Sequence, residues 1–293
     1  MQIAHHIGAH GTDEDRLLKS TLRNADALVK HGIAAPGPGK YRSLIRTTIQ
    51  GLDGAIPAAG TRDVLLDSIV EDDNAQRLLL ANGNFICVPN RVFEHGVFYP
   101  QAETKTRALR SLFPDDQLSL FFGMQHPATF LQDLMRRPKA TGFASLFGIT
   151  RPADMRWADV VRRLLAGAPD AQLTVWCEED APILWPQLIR RFTGLPAAAP
   201  ISGGLDALDG LMQRDGFTVL RDRLNAQPAA SESARQTIIA DCWEEYAIPG
   251  ADEAEIDLPE LDAGMVQMMS DNYEADLAEI AAMDGVTLLL PFA

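Results

Sequence analysis

The sequence is short of cysteine and contains no long apolar run. Its three cysteines, Cys87, Cys177 and Cys242, lie far apart and in no Cys-x-x-Cys arrangement, so we expect buried free thiols in a reducing cytoplasm. No apolar run approaches the length that crosses a bilayer. No basic segment followed by an apolar stretch marks the N-terminus as a secretory signal. These absences predict a cytoplasmic protein that does not bind a membrane.

Basic residues are also scarce, with 26 Lys and Arg against 40 Asp and Glu, which leaves a formal net charge of −14. This balance argues against nucleic acid as a partner, because nucleic-acid binding rests mainly on Lys and Arg neutralising phosphates. It also opposes a highly anionic nucleotide, unless basic residues gather locally and offset the field. Part of the negative charge lies late, at 252–262, so a basic pocket elsewhere in the chain stays open.

The 293 residues are enough for one large α/β domain with an ample core. Short apolar runs alternate with amphipathic helical patterns, and the runs at 1–7, 33–35, 77–81, 118–124, 173–177 and 286–290 are the predicted strands. This alternation predicts a parallel sheet with helices on both faces. A Pro-, Ala- and Gly-rich linker near 196–204 precedes a mostly helical C-terminal part at 205–293. We treat 1–293 as a single domain.

The most informative segment is HIGAHGTDEDRLL at 6–18. The apolar strand at 1–7 leads into a loop that contains Gly8 and Gly11, and helical spacing of apolar residues begins at Leu17. A strand, a glycine-bearing loop and a helix, in that order, direct backbone N–H groups at an anion. The order of elements therefore predicts an anion-binding loop.

The charges of this loop point the other way. Thr12 is a suitable N-cap, and Asp15 follows three residues later, as in a capping box. Asp13, Glu14 and Asp15 fill the first turn, where the helix dipole favours carboxylates. These carboxylates would repel a phosphate that seeks the same N–H groups, and no Lys or Arg inside the loop offsets them.

The segment HIGAHGTDEDRLL, with the turn PGP at 36–38, resembles the N-terminus of bacterial sulfotransferase-like P-loop proteins. The family pattern is His-Ile-Gly-x-His-Lys-Thr-Gly-(Thr/Ser)-(Thr/Ser), followed by a helix and a proline-containing turn. In that family the loop holds the 5′-phosphosulfate of 3′-phosphoadenosine 5′-phosphosulfate, and its Lys neutralises the bridging oxygen. The resemblance implies a P-loop-like parallel sheet with helices on both faces and a helical C-terminal part.

This chain matches the family pattern only in part. The loop positions that keep the family's residue types are His6, Gly8, His10 and Thr12. The positions that depart from it are Gly11 at the lysine, Asp13 at the second glycine, and Glu14 and Asp15 at the hydroxyls. The resemblance implies that Gly8, Gly11 and Thr12 would contact a cofactor.

The resemblance implies further site residues. The strand at 118–124 followed by QHP resembles the signature Arg-(Asn/Asp)-Pro-x-x-x-x-x-Ser, which places Gln125 at the 3′-phosphate, without the charged fork of Arg. Lys40 and Arg42, after the PGP turn, are candidates for holding an acidic group of the substrate. The family's Glu after the third strand aligns with Gly83, which can neither accept nor deliver a proton.

Three functions stay open. The favoured one is a non-catalytic descendant that binds a small molecule or a protein, because every departure from the family pattern removes nucleotide-binding or catalytic chemistry. The second is an active sulfotransferase that binds 3′-phosphoadenosine 5′-phosphosulfate or adenosine 3′,5′-bisphosphate, with His10 and Thr12 as the remaining catalytic groups. The third is a zinc or manganese site. Its candidate ligands are His5, His6, His10, Asp13, Glu14 and Asp15.

Overall fold

The computed structural model describes residues 1–13, 15–137, 151–226, 231–252 and 255–293. Six strands form the main sheet: β1 (Gln2–His6), β2 (Ile33–Ala34), β3 (Arg77–Ala81), β6 (Gln117–Met124), β7 (Gln172–Cys177) and β8 (Val286–Leu289). Two short strands, β4 (Phe93–Glu94) and β5 (Val97–Phe98), pair antiparallel as a separate hairpin. The order in the main sheet is β2-β3-β1-β6-β7-β8, and all neighbouring pairs are parallel. The prediction of a parallel α/β sheet is confirmed.

Helices cover both faces of the sheet. One face packs against α3 (Pro38–Leu52), α4 (Thr61–Ile69), α5 (Ala102–Leu112), α6 (Pro127–Arg136), α7 (Trp157–Gly167) and α11 (Ala263–Ala281). The opposite face packs against α1 (Arg16–Leu22), α2 (Ala25–Lys30) and α8 (Ala181–Thr193). The helices α9 (Arg214–Ala226) and α10 (Glu232–Tyr246) share a smaller apolar cluster of their own. Within the described ranges, no helix is both long and apolar enough to cross a membrane.

Strand β1 lies at the centre of the sheet and carries polar side chains into the interior. Ile3 faces one helical layer and Ala4 the other, since side chains alternate along a strand. The same alternation puts His5 and His6 on opposite faces, and each is only 1% exposed because both faces are covered. Two buried imidazoles therefore stand at the carboxyl end of the central strand.

The first helical segment is interrupted, although its apolar residues keep helical spacing from Leu17 to Val29. α1 ends at Leu22 and α2 begins at Ala25. The amide of Asn24 donates to Ser20 O at 2.9 Å and to Ser202 O at 3.0 Å, while its oxygen accepts Ser202 N at 2.7 Å. A side chain that bonds the backbone in this way competes with the helix, which explains the break. It also fixes the segment that leads to α9 beside α1.

The strand order places a topological switch point between β1 and β6. The chain leaves β1 towards β2 on one side of the sheet, whereas it leaves β6 towards β7 on the other. In open α/β sheets, ligands bind in the crevice at the carboxyl ends of strands where the order reverses. The loop at 7–15 follows β1 at this point.

Candidate functional site

The loop after β1 lies along the end of β6. Ile7 N donates to Phe121 O and Ala9 N to Gly123 O, both at 2.9 Å, so the loop continues the parallel pairing beyond the strand. Gly8 and Gly11 have φ angles of +52° and +83°, a conformation that residues with a Cβ rarely adopt. The two predicted cofactor-binding glycines are therefore the positions where the loop turns.

Asp13 supplies the side chain that caps the first turn of α1, although the N-cap position itself is Asp15, whose own side chain makes no cap bond. Asp13 Oδ2 accepts the N–H of Leu17 at 3.0 Å, and Asp13 Oδ1 accepts the N–H of Asp15 at 3.3 Å. The sequence predicts Thr12 as the cap, and this is wrong, because the Thr12 hydroxyl instead donates to Ala9 O at 2.9 Å within the loop. Asp13 is only 4% exposed. Its carboxylate therefore takes the N–H groups that would meet a bound anion.

Arg42 is engaged by the same turn. Its Nη1 and Nη2 donate to the two carboxylate oxygens of Asp15 at 3.0 and 2.5 Å, and its Nε donates to Ala81 O at 2.7 Å. This two-pronged ion pair ties α3 to the start of α1 and neutralises the guanidinium. Lys40 lies elsewhere and pairs with Glu71. The structure therefore separates the two predicted substrate-binding cations and gives each a carboxylate of its own.

His10 holds the loop against the segment that contains the β4–β5 hairpin. Its Nδ1 lies 2.7 Å from the Tyr99 hydroxyl, which also accepts His10 N at 3.0 Å, and its Nε2 lies 3.0 Å from Cys87 O. This geometry fits a neutral ring protonated on Nε2, which donates to Cys87 O and accepts from Tyr99. Burial lowers the pKa of His10 to about 4, which keeps the ring neutral at pH 7. Both ring nitrogens of this predicted catalytic residue are therefore occupied.

His5 lines a small cavity between β1, β3 and α3. Neither ring nitrogen of His5 has a hydrogen-bond partner among the described residues, and burial lowers its pKa to about 3. The ring packs edge-on against Phe85 with the centroids 4.8 Å apart. The cavity volume is about 30 Å³, which admits a water molecule but no metabolite. Gly83 lies nearby, in contact range of Gly8, and supplies no acid or base.

Gln125 contacts the loop from the end of β6. A Cβ added at Gly11 would lie 3.0 Å from Gln125 Nε2, so the amide packs directly against the turn. The same Nε2 donates to Asp133 Oδ2 at 3.1 Å, and the backbone carbonyl of Gln125 accepts Trp157 Nε1 at 2.9 Å. The structure thus places Gln125 beside the loop, with its amide bonded within the chain.

A carboxyl group outside the family pattern, that of Glu178, interacts electrostatically with Asp13. Glu178 follows β7, and Trp176 Nε1 donates to its Oε2 at 3.3 Å. Burial, followed by the negative charge of Asp13, raises the pKa of Glu178 to about 8. Asp13 Oδ2 also lies 3.6 Å from Nδ1 of His6 on β1. The carboxyl edge of the sheet at this point is therefore lined by acidic groups and one imidazole.

These groups do not assemble into a metal site. Among the described residues, no three His, Cys, Asp or Glu side chains come together in a way that could hold a metal ion. His6 approaches Asp13, but His5 faces Phe85 and His10 bonds Tyr99. Of the other two candidates, Asp15 pairs with Arg42, and Glu14 lies outside the described residues. The three cysteines are buried and free, as predicted.

Comparison with protein-family models, with curated proteins and with solved structures finds no match. The structure gathers Gly8, Gly11, Thr12 and Gln125 around one turn. It does not add a basic side chain to that turn from α3, because Arg42 is paired with Asp15.

Proposed function

We propose that this chain is a non-catalytic, sulfotransferase-like P-loop protein that serves in binding or regulation. The observation that carries the proposal is the Asp13 carboxylate, which accepts the N–H groups of Asp15 and Leu17. In an anion-binding loop those donors meet the phosphate of a ligand. Here a residue of the chain holds them with a fixed negative charge.

The electrostatic cost to a phosphate is large. A phosphate oxygen about 4 Å from the Asp13 carboxylate would be repelled by about 4 kcal/mol at an effective dielectric of about 20. That energy corresponds to a loss of about three orders of magnitude in affinity. Arg42 cannot offset it without giving up its own pair with Asp15.

Sulfuryl transfer needs positive groups at the leaving oxygens and a base at the acceptor. Gly11 and Gln125 stand where the family has Lys and Arg, and Gly83 stands where it has Glu. Removing one such electrostatic stabiliser costs roughly two to three orders of magnitude in rate. These absences together support a protein without sulfuryl-transfer activity, and an active transferase is the competing outcome of the test.

The test is a calorimetric and thermal-shift titration with adenosine 3′,5′-bisphosphate. A ligand with a Kd of about 10 µM would at about 1 mM stabilise the fold by about 2.7 kcal/mol and raise Tm. We expect no saturable heat and no shift for the wild-type chain. Asp13→Asn keeps an oxygen that can cap the helix but loses the charge, so we expect weak binding to appear. The matched control is Asp67→Asn, an exposed acid on α4, which should behave as wild type.

Two results would contradict the proposal. One is tight binding of adenosine 3′,5′-bisphosphate to the wild-type chain, with no higher affinity in the Asp13→Asn variant. The other is transfer of a sulfuryl group from 3′-phosphoadenosine 5′-phosphosulfate to a phenol or amine acceptor. Either would restore the sulfotransferase assignment.

A further inference from the structure

A second and much larger cleft opens between α1 and α9, and Asp13 is one of the residues that line it. Its volume is about 720 Å³, against about 30 Å³ for the cavity at His5. Small-molecule sites commonly have volumes of about 300–1,000 Å³, so this cleft can take a metabolite where the other cannot.

Two helical stripes with the same spacing line this cleft. From α1 come Arg16, Lys19 and Arg23, at positions i, i+3 and i+7. From α9 come Arg214, Phe217 and Arg221, again at i, i+3 and i+7. Residues with this spacing share one face of a helix, so each helix turns a basic stripe to the cleft.

The concentration of positive charge is unusual for this chain. The cleft contains five of its 26 Lys and Arg residues, although the net charge is −14. Two of its three carboxylates are already engaged. Asp206 bonds Ser20 and pairs with Arg23 at 2.8 Å, and Asp13 caps α1. Asp209 is exposed at the rim. The local balance is therefore positive.

Two of the arginines, Arg214 and Arg221, have no hydrogen-bond or ion-pair partner within the described part of the chain. Arg16 interacts electrostatically with Glu178. Guanidinium groups held on one cleft without carboxylate partners repel one another, and a multiply charged anion between them would relieve that repulsion. Their planar forks match phosphate oxygens two at a time.

We propose that the α1–α9 cleft binds a small metabolite that carries a chain of three or more linked phosphate groups. The phosphates lie between the arginines of α1 and those of α9, and Phe217 offers an apolar face to the rest of the ligand. A long nucleic acid is disfavoured by the overall negative charge. Asp13 also lines the cleft, but Arg214 and Arg221 lie on α9 and outside the loop, so variants at these two residues test the inference separately from the proposed function.

The experiment uses inorganic tripolyphosphate as the probe, titrated calorimetrically into the full chain. We expect saturable binding that weakens as salt rises. The double variant Arg214→Gln/Arg221→Gln should weaken it at least about tenfold, since it removes charge-assisted contacts. Both residues lie on a surface stripe, so Tm without ligand should change little. The matched control, Arg46→Gln/Arg191→Gln, removes two exposed arginines outside the cleft and should leave the affinity within about twofold of wild type.

Four outcomes would overturn the proposal. The wild-type chain could show no saturable binding of tripolyphosphate. The control variant could lose as much affinity as the cleft variant, which would indicate general charge attraction. Adenosine 3′,5′-bisphosphate could displace tripolyphosphate from the wild-type chain and bind the Arg214→Gln/Arg221→Gln variant with the same affinity. That result would place the tripolyphosphate site at the loop and not in the cleft. A single-stranded RNA could bind more tightly than tripolyphosphate at the same salt, which would make the cleft a nucleic-acid surface.

Discussion

Glu178 makes the stability of this fold depend on pH near neutrality. Its pKa is raised from 4.5 to about 8, first by burial and then by the charge of Asp13. The folded protein therefore holds this proton more tightly than the unfolded chain does. The stability that Glu178 contributes is fully present below about pH 4.5 and is lost as the pH rises through about 8. The replacement Glu178→Gln should abolish this dependence, because glutamine stays neutral and can still accept the Trp176 N–H.

The magnitude follows from the pKa shift. A change from 4.5 to about 8 corresponds to at most about 5 kcal/mol at 1.36 kcal/mol for each pH unit. Glu178 is half-buried, so water screens part of the penalty and we expect about 2 kcal/mol. The difference in unfolding free energy between Glu178→Gln and wild type should therefore grow from near zero at acidic pH to about 2 kcal/mol in favour of the variant above pH 8.

The assay is urea unfolding of both proteins at several values from about pH 5 to about pH 9, since the slope with pH reports the difference in bound protons. Glu244→Gln, an exposed acid on α10, is the matched control and should give no pH-dependent difference. Asp13→Asn should move the midpoint of the Glu178 effect to lower pH, because it removes the neighbouring charge. A difference between Glu178→Gln and wild type that stays constant across this range would refute the reasoning.

Two further predictions concern residues that hold the loop in place. Tyr99→Phe removes the hydroxyl that bonds the backbone N–H and Nδ1 of His10, and both groups stay buried. The free energy of unfolding in urea should therefore fall by about 1–3 kcal/mol. An unchanged urea midpoint would contradict the roles assigned to these bonds. Arg42→Lys keeps the charge but not the fork to Asp15, so it should cost about 1–2 kcal/mol by the same assay. In a double-mutant cycle, Arg42→Lys should cost less unfolding free energy in the Asp15→Ala background than in wild type. If the two losses simply add, the Arg42–Asp15 ion pair is not the cause of the loss in Arg42→Lys.

The fold was readable from the sequence because its central strands are buried on both faces. The runs RLLLA at Arg77–Ala81 and LSLFFGM at 118–124 are almost continuously apolar, as parallel strands between two helical layers must be. The break between α1 and α2 was not readable. Asn24 interrupts the helix through bonds to Ser202, and helical periodicity carries no information about so distant a partner.

The chemistry of the loop was predicted less well than its shape. Two glycines after a strand indicate a turn, and both have the positive φ angles that such a turn requires. The choice between Thr12 and Asp13 as the cap depends on which side chain reaches the Leu17 N–H, and both are good capping residues. Lys40 and Arg42 look equivalent in sequence. Only their positions opposite Glu71 and Asp15 show that each is paired.

The two proposals depend on the local distribution of charge, which the net charge of the molecule does not show. A net charge of −14 opposes anionic ligands only on average over the molecule. Asp13 and Glu178 concentrate acidic groups at the carboxyl edge of the sheet, where the fold would ordinarily bind a phosphate. Arg214 and Arg221 lie on α9, away from the strand ends where α/β folds ordinarily bind ligands, and they face the cleft beside α1. Asp13 lines this cleft too, so an anion there would be repelled by the Asp13 carboxylate and attracted by the arginines of α9.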